Sequence, residues 1–154
     1  MLQRIQTLYL LSVVGVMALT LHFPLATFVC GAESYLLEAF GLKNATGLTV
    51  QPTLYLGIVL AVSSLLPVVI IFCYKHRQLQ IRLCAAEMVL LVGSLVMSGI
   101  YYFLCARVFS DFSFHAQSFK IPIVFPLISL IFTFMAMRAI FRDELLVRSV
   151  NRIR

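Results

Sequence analysis

Four stretches of this chain run for roughly twenty residues each with almost no charge, the length of helix that crosses a hydrocarbon core of roughly 30 Å. They are Leu8 to Val29, Leu54 to Tyr74, Leu83 to Ala106 and Ile121 to Met137, interrupted only by Glu87 in the third. Arg138 follows directly on the fourth. None alternates apolar and polar residues at period two, as barrel strands do. The expected fold is therefore an all-α bundle of four transmembrane helices, with spans near 8–29, 54–74, 83–106 and 121–141. Composition agrees: 62% of the 154 residues are hydrophobic and 12% charged, against about 25% charged in soluble domains. A soluble enzyme is excluded on that ground. The net charge of +6, which in a soluble chain suggests nucleic acid, is here explained by membrane orientation, and no nucleic-acid partner is expected.

Orientation follows from the distribution of basic residues. One side of the spans holds Arg4, Lys75, Arg77, Arg82, Arg138, Arg142, Arg148, Arg152 and Arg154, and the other holds Lys43, Arg107 and Lys120. Nine against three predicts both termini and the Lys75 to Arg82 turn in the cytoplasm, with residues 30–52 and 108–120 outside. Residues 1–154 then form a single integral membrane domain with a basic cytoplasmic tail over 142–154. Arg4 followed by an apolar run also fits a signal peptide. However, the run exceeds the usual h-region and lacks a small-x-small cleavage site, and Val29 is large where a lipoprotein box needs a small residue, so a retained helix is expected.

The outward loops are predicted to be small, with short strands at most. Gly31, Gly41 and Gly47 punctuate the first, where Ser34 to Phe40 reads as a short interfacial helix and Lys43-Asn44-Ala45-Thr46-Gly47 as a turn. Phe109, Phe112, Phe114 and Phe119 alternate in part, a weak strand signal. Leu48-Thr49-Val50 is a candidate partner for that strand, and an aromatic loop in the headgroup region is the other reading.

Glu87 is the residue most in need of explanation, because carboxylates inside a membrane are costly and usually paired. Antiparallel packing of the last two spans sets Arg138 at similar depth, and a Glu87–Arg138 ion pair is the natural expectation. The alternatives are a snorkelling acid at the interface and a proton or cation relay. Cys30 and Cys105 fall at matched depth toward the outside and form a candidate disulfide, with small buried thiols as the alternative. Cys73 and Cys84 lie toward the cytoplasm. His22, His76 and His115 are scattered over both faces, so neither a metal site nor a haem is expected. The serines within the spans have no neighbouring base to activate them. No catalytic residue and no cofactor are therefore expected. Gly57-x-x-x-Ala61 and Ser94-x-x-x-Ser98, the latter extended by Gly93 and Gly99, suit close helix approach, and Pro67 is expected to kink the second span.

The cytoplasmic basic residues Lys75, Arg77, Arg82, Arg142, Arg148, Arg152 and Arg154 make a candidate surface for anionic lipid or a protein partner. The tail from Arg138 onward reads as a basic amphipathic helix.

Three stretches, Met1-Leu2-Gln3-Arg4-Ile5-Gln6-Thr7-Leu8-Tyr9-Leu10, Tyr74-Lys75-His76-Arg77-Gln78-Leu79-Gln80-Ile81-Arg82 and Arg138-Ala139-Ile140-Phe141-Arg142-Asp143-Glu144-Leu145-Leu146-Val147-Arg148-Ser149, resemble a family of small four-pass membrane proteins of Bacteroidota catalogued only as a domain of unknown function. The likeness covers essentially the whole chain. It implies the inner membrane of a Gram-negative bacterium and a periplasmic exterior, and it implies no activity. The expected role is that of a non-enzymatic accessory or scaffolding subunit with a basic cytoplasmic face. The rival is a small oligomeric transporter or channel that uses Glu87.

Overall fold

The computed structural model describes residues 2–30, 33–74, 76–109 and 115–151. It is mostly helical, and four of its helices are long and apolar enough to cross a membrane. In chain order the elements are α1 (Leu2–His22), β1 (Ala26–Cys30), β2 (Glu33–Leu37), β3 (Gly41–Asn44), β4 (Thr49–Pro52), α2 (Leu54–Phe72), α3 (Arg77–Phe109), β5 (His115–Phe119), a 3-10 turn (Ile121–Val124) and α4 (Phe125–Asn151).

Each helix turns one narrow stripe inward. On α1 the buried positions are Gln6, Leu10, Val13, Met17 and Thr20, and on α3 they are Gln80, Cys84, Glu87, Leu91, Ser94, Ser98, Tyr102 and Cys105. Steps of three and four residues give the 3.5-residue period at which helices pack side by side around a common seam. The other faces carry exposed Leu, Ile, Val and Phe, as expected where lipid rather than water surrounds the bundle. The packing order is α1 against α2, α2 against α3, α3 against α4, and α4 back against α1.

Two core clusters set the helix directions. Leu10, Ile70, Cys84, Ala136 and Ile140 pack together, and Val13, Met17, Leu56, Leu60 and Leu91 form the next cluster along. Residue numbers rise from one cluster to the other in α1 and α3 and fall in α2, so neighbouring helices run antiparallel. The end that joins α2 to α3 is called the turn end below, and the opposite end the sheet end.

The sheet end carries more regular structure than the short strands expected of the outward loops. A five-stranded antiparallel sheet, in the order β4-β3-β2-β1-β5, covers it. The first span ends at His22 rather than Val29 because Pro24 cannot continue a helix, and Thr27, Phe28 and Val29, β-branched or aromatic, suit a strand. Ser34 to Phe40 is not an interfacial helix. Glu33–Leu37 pairs with β1 on one side and β3 on the other, and two ladders outweigh a local helical preference. Leu48-Thr49-Val50 does not meet the strand after Phe109. Gly47, at φ 80°, donates its N–H to Asn44 O at 2.8 Å, and this turn folds β4 back onto β3 at the edge farthest from β5. The partial alternation before Phe119 does end in a strand, β5, paired with β1; residues 110–114 lie outside the described ones.

One face of the sheet packs on α3. Ala26, Phe28, Leu37 and Leu42 cluster with Tyr102 and Cys105, and the Phe28 and Tyr102 rings stand 5.4 Å apart. This accounts for the 33 residues of α3, about 50 Å of helix, which is more than a bilayer core requires. Thr53 fastens the other side, its Oγ1 donating to Ala39 O at 3.1 Å and its N–H to Phe40 O at 3.2 Å. Gly57 serves this same joint. A Cβ there would overlap the Phe40 ring and stand 3.0 Å from Ala39 O, so the small residue admits the sheet rather than another helix. Beside Gly93 and Gly99 there is open space.

Candidate functional site

Polar side chains reach the bundle interior at two levels. The deeper level holds Ser63 and Pro67 of α2, Glu87 of α3 and Thr133 of α4 between the two core clusters, with Ser129 of α4 one turn nearer the sheet end, all buried. Pro67 has no N–H, which leaves the carbonyl of Ser63 without its usual helical partner. Ser63 Oγ donates to Val59 O at 2.9 Å and Thr133 Oγ1 to Ser129 O at 2.9 Å, so these hydroxyls satisfy themselves within their own helices. Glu87 does not. Its side chain is fully buried, and both carboxyl oxygens lack a hydrogen-bond partner, as does Ser129 Oγ.

The expected Glu87–Arg138 ion pair is absent. Ala136 and Ile140 face the interior, and a residue two positions from each is turned by about 200°, so Arg138 falls on the exposed face of α4. Nor is Glu87 a snorkelling interfacial acid, since it points into the seam one turn above Cys84. The two residues lie near one level of the bundle, beside the cluster of Cys84, Ala136 and Ile140, but not in the same helix phase.

The second level is the mouth of the bundle at the turn end. Gln6, Thr7, Tyr74, Arg77, Gln80 and Asp143 line a cleft of about 260 Å³ there. Gln6 and Gln80 occupy inward positions in phase with Leu10 and Cys84 and are 6% and 7% exposed. Gln80 Nε2 donates to Ile70 O at 3.2 Å, whereas Gln6 Nε2 has no partner. Arg77 bridges α3 to α4: its Nη1 donates to Asp143 O at 3.2 Å and stands 3.9 Å from Asp143 Oδ2. Arg77 is thus engaged in the cleft rather than spread on a surface. The His76 N–H to Cys73 O bond at 3.1 Å and the Gln80 N–H to His76 O bond at 3.0 Å shape the tight turn that brings it there. Sequence reasoning missed Gln6, Gln80 and Asp143. The signal was their phase, two glutamines one turn outside the apolar stripes of two different helices.

Of the remaining candidates, Arg82 and Arg142 are exposed at the turn end. Lys75, Arg152 and Arg154 lie outside the described residues, as does the side chain of Arg148, although α4 runs unbroken through that residue. Cys105 is a buried free thiol, packed against Phe28, so the expected Cys30–Cys105 disulfide is not formed. Cys30 ends β1, and its side chain lies outside the described ones.

A family model described as Domain of unknown function (DUF4293) matches residues 2–153, and the chain belongs to that family. A search of the curated proteins found no match.

Proposed function

We propose that this member of the family is a non-enzymatic accessory or scaffolding subunit of a Gram-negative inner membrane. In this reading the termini and the turn end are cytoplasmic, and the sheet faces the periplasm. The observation that carries it is the exposure of Arg82 and Arg142 at the turn end, on the side to which the basic count assigns the cytoplasm, together with the continuation of α4 to Asn151. These cations would hold anionic lipid headgroups, each worth about 1 kcal/mol near the surface, and would present a basic face to a membrane or cytoplasmic protein. The buried serine and threonine hydroxyls that bond their own helices favour a structural over a nucleophilic role. The test is purification from inner membranes in mild detergent. A partner should co-elute in constant ratio and be lost from Arg82→Glu/Arg142→Glu, with thermal stability unchanged. Elution alone, with no charge-dependent binding to anionic vesicles, overturns the reading.

Glu87 favours a second reading, a small oligomeric transporter. A buried carboxyl without a hydrogen-bond partner, on a helix packed against the proline-bearing α2, is the kind of group on which proton or cation movement through a membrane depends. It predicts a pH- or cation-driven flux in proteoliposomes that Glu87→Gln abolishes. Absence of flux under every imposed gradient removes it.

A further inference from the structure

The turn-end cleft combines features that a packed bundle end does not require. Gln6 is 6% exposed and lines the cleft, yet its amide nitrogen donates to nothing. A buried unmade hydrogen bond of this kind is destabilising unless a ligand or water completes it. Beside it stand one cation and one anion, Arg77 and Asp143, in a loose 3.9 Å contact that leaves most guanidinium donors and the carboxylate lone pairs available. The positive end of the α3 dipole lies at the same mouth, because α3 begins at Arg77. At about 260 Å³ the cleft falls below the usual range for drug-sized ligands. Around it the helices turn Leu8, Phe72, Leu79 and Phe141 outward, each about half exposed or more.

We propose that this cleft binds the headgroup of a zwitterionic phospholipid carrying a primary amine, a phosphoethanolamine lipid, from the leaflet that meets the turn end. The phosphate accepts from Arg77 and, once the Gln6 side chain turns its enclosed amide into the cleft, from Gln6, and the ammonium donates to Asp143. The acyl chains lie along the apolar faces of Leu8, Phe72 and Phe141. A phosphatidylglycerol headgroup could offer the Asp143 carboxylate only a neutral hydroxyl and no charge to balance it, and a choline headgroup has no N–H to donate. The site requires only that the bundle spans a bilayer, and it is independent of the accessory role proposed above.

The test is native mass spectrometry of the detergent-solubilised protein against equal amounts of phosphatidylethanolamine, phosphatidylglycerol and phosphatidylcholine, with thermal unfolding in parallel. Phosphatidylethanolamine should be retained preferentially and should raise the unfolding temperature most. Gln6→Leu and Asp143→Asn should each reduce that retention by about tenfold or more, the loss expected for a hydrogen bond to a charged group. Lys120→Gln, exposed at the opposite end of the bundle, should leave it unchanged. If the cleft variants fail to fold, the selectivity of the wild-type protein decides. Equal retention of the three lipids, or preference for phosphatidylglycerol, overturns the proposal. So does stabilisation by inorganic phosphate or soluble phosphoethanolamine with none from the lipid, which would mark a small-solute site.

Discussion

Glu87, one turn from Cys84, and Arg138, between Ala136 and Ile140, flank one core cluster, yet the first side chain is buried inside the bundle and the second is exposed outside it. The carboxyl is fully buried with neither oxygen bonded, and the guanidinium belongs to an exposed position of α4. Two opposite charges beside one core cluster were not enough to make an ion pair, because Ala136 and Ile140 on either side of Arg138 point inward.

This arrangement sets the first expectation. A buried polar group left without a hydrogen-bond partner costs about 1–3 kcal/mol, more if charged, a penalty that an apolar residue of similar volume avoids. Glu87→Leu should therefore raise the unfolding temperature in detergent. Arg138→Gln should change it little, and the double variant should be additive to within about 0.5 kcal/mol. A larger coupling would mean that the two charges meet after all.

The joint between sheet and bundle is tested at Gly57. A Cβ there overlaps the Phe40 ring, which can swing aside, and crowds the backbone oxygen of Ala39, which Thr53 holds in place. Gly57→Ala should destabilise by about 1–3 kcal/mol, the usual range for overpacking. Full stability of the variant, measured by thermal unfolding, would show that the sheet does not seat on α2.

Sidedness can be read by labelling. In a Cys73→Ser background, a cysteine placed at Leu48, 71% exposed in the β3–β4 hairpin, should react with an impermeant maleimide in intact spheroplasts. One placed at Gln78, exposed at the turn end, should react only after permeabilisation. The reverse pattern would invert the proposed orientation.

Cys105 has a direct chemical readout. As a free, buried thiol packed on Phe28 and Tyr102, it should resist alkylation until the protein is denatured, and the intact mass without reductant should show no Cys30–Cys105 bond. Rapid labelling of Cys105 in the folded protein would mean that the sheet lifts from α3.

What the sequence determined by itself was everything that depends on composition along one line. An uncharged run long enough to cross a bilayer has to form a helix there, since lipid offers its backbone no other hydrogen-bond partner. The second span accordingly matches α2 almost residue for residue. The basic asymmetry was equally plain, because counting requires no contacts. Tertiary structure decided whatever depends on phase and pairing. Residues 33–37 became a strand because β1 and β3 offered ladders on both sides. Arg138 turned outward because its neighbours filled the seam. Arg77 met Asp143, 66 residues away, to build a cleft around Gln6 and Gln80 that no local motif announces. Helix length is a property of one segment in its solvent, whereas a site is a coincidence of several faces, and only packing decides which faces meet.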